Sequence, residues 1–210
     1  QAVKKLEGLL SQQPEIEAYS PRIKFGGMFS TFVETTNIRL NGVYPEKEFK
    51  TVPLLASRIT EGPKALNKGE ILLPELLARG MKAKIGDMIV IVATNQDGSV
   101  NGKQFKVGGI LESATGPGGR DGYVHIEDAL EVLRMGEMEI SEVAIRIKDF
   151  GKVGTFTQKL DGLLSGEVNK QGKPAFEVHS WEQLSPFYNI ARMIDMMTVF
   201  IQLMLISVVL

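Results

Sequence analysis

Residues 196–210 read MMTVFIQLMLISVVL, and no charged residue follows Asp195. At about 1.5 Å per residue these positions cover roughly 22 Å, against roughly 30 Å for a bilayer's hydrocarbon core. The stretch is therefore read as the start of a transmembrane helix cut short by the end of the chain. The first residue is Gln1, with no basic n-region and apolar run behind it, so the beginning also reads as internal. A second reading stays open on sequence alone. Thr198, Gln202 and Ser207 interrupt the apolar run, and an amphipathic helix buried in a core would have a similar length.

Upstream of this stretch the pattern is that of a folded domain. Ile190, Ile194, Met197, Ile201, Met204 and Val208 continue one helical face, and Pro186 predicts a break before it. Ser180 followed by Gln183 predicts a capping box. Phe176 to His179 reads as a short strand, Val153 to Leu164 as a helix ended by Gly166, and Val143, Ile145 and Ile147 as a half-buried strand. At the other end, Val3, Leu6, Leu9 and Leu10 predict a short amphipathic helix stopped by Pro14. Extended segments near Ile16–Phe25 and Thr31–Leu40 follow, with Gly26-Gly27 as the expected turn and Asn41-Gly42 as the expected break. The charged stretch from Val43 to Pro53 reads as a connector.

The middle is rich in strands and glycine. Pro74 and Gly80 bracket a short helix, Met88 to Ala93 and Gln104 to Leu111 read as strands, and Asn101-Gly102 predicts a hairpin turn between them. Gly108-Gly109 marks an expected bulge. The run ATGPGGRDG at 114–122 is expected to be an exposed loop, since four Gly and one Pro favour no regular element. Ile126, Ala129, Leu130 and Leu133 then predict a helix ending near Gly136.

Composition narrows the function. Among 210 residues, 24 Lys plus Arg balance 25 Asp plus Glu, which leaves no general basic surplus for nucleic acid. The absence of Cys excludes a thiolate nucleophile, a Cys-ligated zinc and a redox dithiol. His125 and His179 are the only imidazoles; neither sits in a metal or triad motif, and both are read as structural or solvated. Gly98 to Lys103 fails as a phosphate loop, because its glycines are too closely spaced and Gln104 stands where Ser or Thr would ligate magnesium. Met193, Met196, Met197 and Met204 have helical spacing in an apolar run and are read as packing or lipid-facing residues rather than metal ligands. No catalytic, cofactor-binding or metal residue is assigned, and no enzyme activity is expected.

Several landmarks occur in a fixed order. They are Leu40-Asn41-Gly42-Val43-Tyr44-Pro45-Glu46, then Ile59-Thr60-Glu61-Gly62, then Gly69-Glu70-Ile71-Leu72-Leu73 with Leu76-Leu77-Ala78. Ile85-Gly86-Asp87-Met88-Ile89, Phe105-Lys106-Val107-Gly108-Gly109-Ile110, Val124-His125-Ile126 with Asp128-Ala129, and Ser180-Trp181-Glu182 complete the series. Together they resemble the extracytoplasmic core domain of the MacB, LolC/LolE and FtsX-like ABC transporter permeases over nearly the whole chain. Tyr44 stands where that family commonly has Asp.

The resemblance implies an α+β fold: a discontinuous α/β porter-like lobe (residues 1–52 and 138–185), an inserted β-rich lobe (53–137), and a stalk with the start of a transmembrane helix (186–210). It further implies an inner-membrane protein with this domain outside the membrane, facing the periplasm, with no cofactor of its own. The expected partners are a cytoplasmic ABC ATPase subunit or domain, a second permease chain, membrane lipid around the C-terminal helix, and a periplasmic adaptor or lipoprotein. In that reading the domain transmits ATP-driven movement of its flanking helices to substrate export or release. The alternative from another class is a membrane-tethered ligand-binding or sensor ectodomain without transport. A hydrolase would need an active-site constellation that the sequence does not display.

Overall fold

The computed structural model describes residues 2–95, 97–113, 121–136, 139–168, 172 and 174–209. They form two compact units, residues 1–148 and 149–210. The first holds α1 (Ala2–Ser11), β1 (Ile16–Ser30), β2 (Thr35–Val43), α2 (Pro45–Thr51), α3 (Pro53–Ser57) and β3 (Ile59–Glu61). It continues with β4 (Glu70–Pro74), α4 (Glu75–Gly80), β5 (Met88–Thr94), β6 (Val100–Leu111), β7 (Asp121–His125), α5 (Ile126–Val132) and β8 (Glu142–Ile147).

Six of these strands close into a barrel. Around the ring the order is β2, β7, β4, β6, β5, β1, and β1 pairs back onto β2. Two neighbours are parallel, β2 with β7 and β4 with β6; the other four pairs are antiparallel. β8 extends the sheet beyond β1, and β3 pairs with β6. The ring draws β1 and β2 from residues 1–52 and the rest from 53–137, so these two segments share one set of hydrogen bonds. Its interior is filled by alternate side chains of each strand, as the two-residue period requires. Phe29, Ile38, Leu40, Ile71, Ile89, Ile91, Phe105 and Val124 all lie in this core. A second, smaller core gathers Val43, Leu55, Ile59, Leu66, Leu72 and Leu111.

Closure explains where the expected turns fall elsewhere. β1 runs straight through Gly26-Gly27, because its second half is held by β2 on one side and by β5 on the other. A Cβ at Gly27 would come within 2.9 Å of the Val92 carbonyl oxygen, so the glycine permits close strand approach instead of a turn. The reversal comes at Thr31–Glu34, where the Thr31 N–H donates to the Glu34 carbonyl (3.1 Å) and exposed Phe32 takes a left-handed backbone, φ 69°. Asn101-Gly102 likewise lies inside β6, opposite Ala93 and Val92. The hairpin turns between Asn95 and Ser99, and the Asn101 amide instead caps α5, donating to the carbonyls of Glu131 (3.2 Å) and Val132 (3.1 Å).

Three further expectations are corrected. The Val43–Pro53 connector contains helix α2, with Pro45 in its first turn. Asn41-Gly42 does not end β2, which continues to Val43 in parallel register with β7, Gly42 opposite Val124. Phe176–His179 forms no strand; the nearest pairing is an isolated bridge between Val168 and Pro174. The bulge does fall at Gly108, since Ile71 pairs with Val107 and Leu72 with Gly109. Residues 114–120 of the glycine-rich stretch lie outside the described residues, and Asp121 and Gly122 open β7.

At Gly42 the backbone faces Ile126 and the Ala129 side chain of α5 so closely that a Cβ would overlap Ala129. Gly42→Val is expected to push α5 off the barrel and cost about 1–3 kcal/mol, the usual penalty of overpacking. A lowered urea midpoint, with faster hydrogen exchange in α5 than in β8, would show this.

The second unit contains a 3-10 turn at Phe150–Lys152, α6 (Val153–Leu164), α7 (Trp181–Leu184) and α8 (Pro186–Val209). α6 has Phe156, Leu160 and Leu164 buried, at the predicted helical spacing.

Candidate membrane helix and ionic clamp

The last helix begins where local chemistry places it. Ser180 and Gln183 form the reciprocal capping box of α7, with the Ser180 N–H donating to Gln183 Oε1 at 3.0 Å. Ser185 is extended (φ −87°, ψ 112°), and Pro186 starts α8, its fixed φ suited to a first helical residue. From Phe187 to Ser207 the helix offers 21 residues, about 31 Å, with the length and composition of a membrane span.

None of that span is buried, so the alternative of a helix packed in a core is not what the structure shows. Phe200, Leu203, Met204, Leu205 and Ile206 are exposed around the whole circumference. Two of the polar interruptions are satisfied on the helix itself. Thr198 donates to the Ile194 carbonyl (2.9 Å) and Ser207 to the Met204 carbonyl (2.7 Å), so neither hydroxyl needs water. Phe200→Arg is expected to cost about 2.5–3.5 kcal/mol of insertion free energy. Alkaline carbonate extraction should then release much of a protein that otherwise stays with the membrane pellet.

In the first unit, three distant segments meet at Arg22. Its guanidinium grips Glu48 of α2 with two bonds, Nη2 to Oε1 at 2.6 Å and Nε to Oε2 at 3.1 Å, and donates from Nη1 to Glu142 of β8 at 2.8 Å. Lys24 Nζ adds a contact to the other Glu142 oxygen at 2.6 Å. Glu48 is fully buried. Burial alone would disfavour the Arg22 charge, yet Glu48 and Glu142 reverse this and raise its pKa. Burial also opposes ionisation of Glu142, but hydrogen bonds from Lys24 and Arg22 prevail and hold its carboxyl below the usual range. Beside them, burial raises the Tyr123 phenol. The clamp thus ties β1, which leads in from α1, to β8, the strand before the second unit.

A second cluster fastens α5. Buried Asp128 accepts the Gly69 N–H at 2.7 Å and Lys103 Nζ at 2.8 Å, while Lys103 also pairs with Glu131. Lys103 belongs to the rejected phosphate-loop stretch, and here its charge is spent on two carboxylates. His125 is the N-cap of α5, its Nδ1 accepting the Glu127 N–H at 3.3 Å, with its ring edge-on to Tyr44. His179 is exposed, with Nε2 3.2 Å from Glu177. Among the described residues no group of His, Asp and Glu side chains is arranged to hold a metal. An open groove of about 580 Å³ runs past Gly27, Met28, Ile38, Val92, Ala93 and Val100 and is mostly apolar. The two clusters fasten α2 and α5 to the strands of the first unit.

The barrel, the clamp and the exposed terminal helix can be set beside known proteins. No protein-family model and no curated protein matches the chain. Solved structures do. The extracellular domain of the noncanonic ABC-type transporter YknZ from Gram-positive bacteria superposes with a TM-score of 0.60 at 16% identity, over 84% of this chain and 88% of that one. The periplasmic region of MacB from Actinobacillus actinomycetemcomitans gives a TM-score of 0.56 at 15% identity, over 90% of this chain and 80% of that one. This chain has the MacB-like ectodomain fold. At such identity the MacB-like fold is shared while most side chains differ.

Proposed function

We propose that this chain is the extracytoplasmic domain of an ABC transporter permease, and that it transmits ATP-driven movement of its flanking membrane helices to substrate export or release. The observation that carries the reading is the likeness in fold, over most of both chains, to the outer domains of YknZ and MacB. Supporting it, an unburied apolar helix follows the domain, and β1 and β8 lie side by side, clamped by Arg22 where their pairing meets Glu142. A pull delivered along α8 would need such a rigid connection to reach the barrel.

In this reading residues 1–52 and 138–185 form the part joined to the membrane helices, 53–137 the part it carries, and 186–210 the membrane helix itself, whose stretch from Phe187 to Ser207 is long enough to cross. Because β1 and β2 complete the ring of β4 to β7, the first segment and the middle one must move together. The domain sits outside the inner membrane and pairs with a second permease chain. ATP is hydrolysed by a cytoplasmic ATPase partner, and an adaptor or lipoprotein receives or supplies the substrate. The domain itself needs no cofactor.

The test is to express the complete reading frame from its native operon in a membrane host and purify it in detergent through a tag on this chain. Co-purification of a nucleotide-binding subunit or domain is the expected outcome. A protein that purifies alone, in a frame with a single span and no ATPase beside it, would overturn the reading. Since the chain has no native Cys, a disulfide engineered between paired α8 helices should stall export; undiminished export with the crosslink formed would remove the mechanism.

A further inference from the structure

Around the start of α8 the second unit displays three aromatic rings in contact. Phe150, in the 3-10 turn, stacks on Trp181 of α7, with centroids 5.7 Å apart and planes 27° from parallel. Trp181 meets Tyr188 of α8 edge to face at 5.4 Å. These rings join three elements, yet they form no core: Phe150 is 68% exposed and Trp181 45%. Phe187 and Leu184, on either side of the helix start, are exposed as well. Rings of this kind each cover roughly 150–250 Å² when buried, so a cluster left in water forgoes a large apolar gain.

What covers it is indicated by continuity. The apolar span of α8 begins at Phe187, so Tyr188 stands at the end of the hydrocarbon crossing, and the stack surrounds that level. Trp and Tyr suit this depth, because each has an apolar body and one polar handle, the indole N–H or the phenol O–H. Arg192 follows one turn inside. A helical side chain leans toward the helix N-terminus, so its guanidinium can climb back to lipid phosphates. Asp195, three positions on, lies next to Arg192 on the helix surface and can offset its charge.

We propose that the Phe150–Trp181–Tyr188 stack is a membrane seat: it lies in the headgroup layer of the bilayer and fixes the 3-10 turn and α7 at the lipid surface. The inference rests on α8 being a membrane span and goes beyond it, since a span followed by a stalk standing clear in water would leave these rings solvated.

Trp181 is the single tryptophan, so its emission reports this site without any substitution. The full chain is reconstituted into phosphatidylcholine vesicles, with trace phospholipid carrying either a headgroup nitroxide or bromine deep in the acyl chain. The expected result is a blue-shifted emission, quenched severalfold more by the headgroup nitroxide than by deep bromine, and only weakly by aqueous acrylamide. Full quenching by acrylamide without effect of the nitroxide would place the stack in water and overturn the seat. Protection from both quenchers would mean that protein covers the rings, which overturns it equally. A Met204→Cys variant separates this failure from that of the underlying reading. If the introduced thiol resists a membrane-impermeant maleimide until detergent is added, α8 spans the bilayer whatever Trp181 reports; a thiol that reacts at once removes the span and the seat together.

Discussion

Arg22→Ala is expected to destabilise the first unit by about 3–5 kcal/mol, because removing one partner of a buried ion pair strands the other. Glu48 is fully buried and takes two of the three Arg22 hydrogen bonds. With the guanidinium gone, its carboxylate has neither water nor counter-charge, and α2 and β8 lose their common tie. Arg22→Lys should fall between the two, since an ammonium cannot grip a carboxylate with two fixed bonds. Replacing the buried pair with apolar residues, Arg22→Met with Glu48→Leu, should be milder than Arg22→Ala, because no charge is left stranded in the interior. Urea titration of the full chain in detergent, read by hydrogen exchange in β1 and β8, measures all three. An Arg22→Ala midpoint equal to that of the unsubstituted protein would show that the clamp carries no stability.

The same cluster sets a pH dependence. Folding lowers the Glu142 pKa, so its contribution is complete above the unfolded value and is lost as pH falls through the folded value. Acid should therefore weaken the β1–β8 junction, and Glu142→Gln should flatten the acid limb of stability against pH.

Phe29→Ala is the other large effect, about 3–5 kcal/mol for a fully buried ring. Phe29 lies where β1 is paired on both sides, opposite Thr36 of β2 and Ile91 of β5. Its ring fills the closed barrel, whose walls are held by strand pairs on every side and cannot collapse around the gap. Phe32→Ala, three residues on, removes an equally large but exposed ring and should change stability little. Similar losses from the two variants would contradict a packed, closed barrel.

The elements legible in the sequence are those governed by near neighbours. α1, α6 and α8 follow from apolar residues at helical spacing, β8 from the alternation of Val143, Ile145 and Ile147, and α7 from the Ser180–Gln183 box. Gly26-Gly27 and Asn101-Gly102 misled for one shared reason. Turn propensity is a local bias of well under the free energy that two flanking strands supply, and both pairs lie in strands of the closed ring. β7 escaped notice because five residues beside a glycine-rich run carry too little pattern; it becomes a strand by parallel pairing with β2.

The clamp was invisible for a different reason. Arg22, Glu48 and Glu142 stand 26 and 120 positions apart in chain separation from Arg22, among many other charged residues, with no spacing that marks them. Hydropathy and periodicity act within a few turns of chain, and from them alone follow a mixed domain, a terminal apolar helix and a lack of catalytic motifs. Barrel closure, strand register and the choice of ion partners are long-range. They emerge when burial brings remote segments together and forces each buried polar group to find a partner, a requirement that no stretch of sequence states by itself.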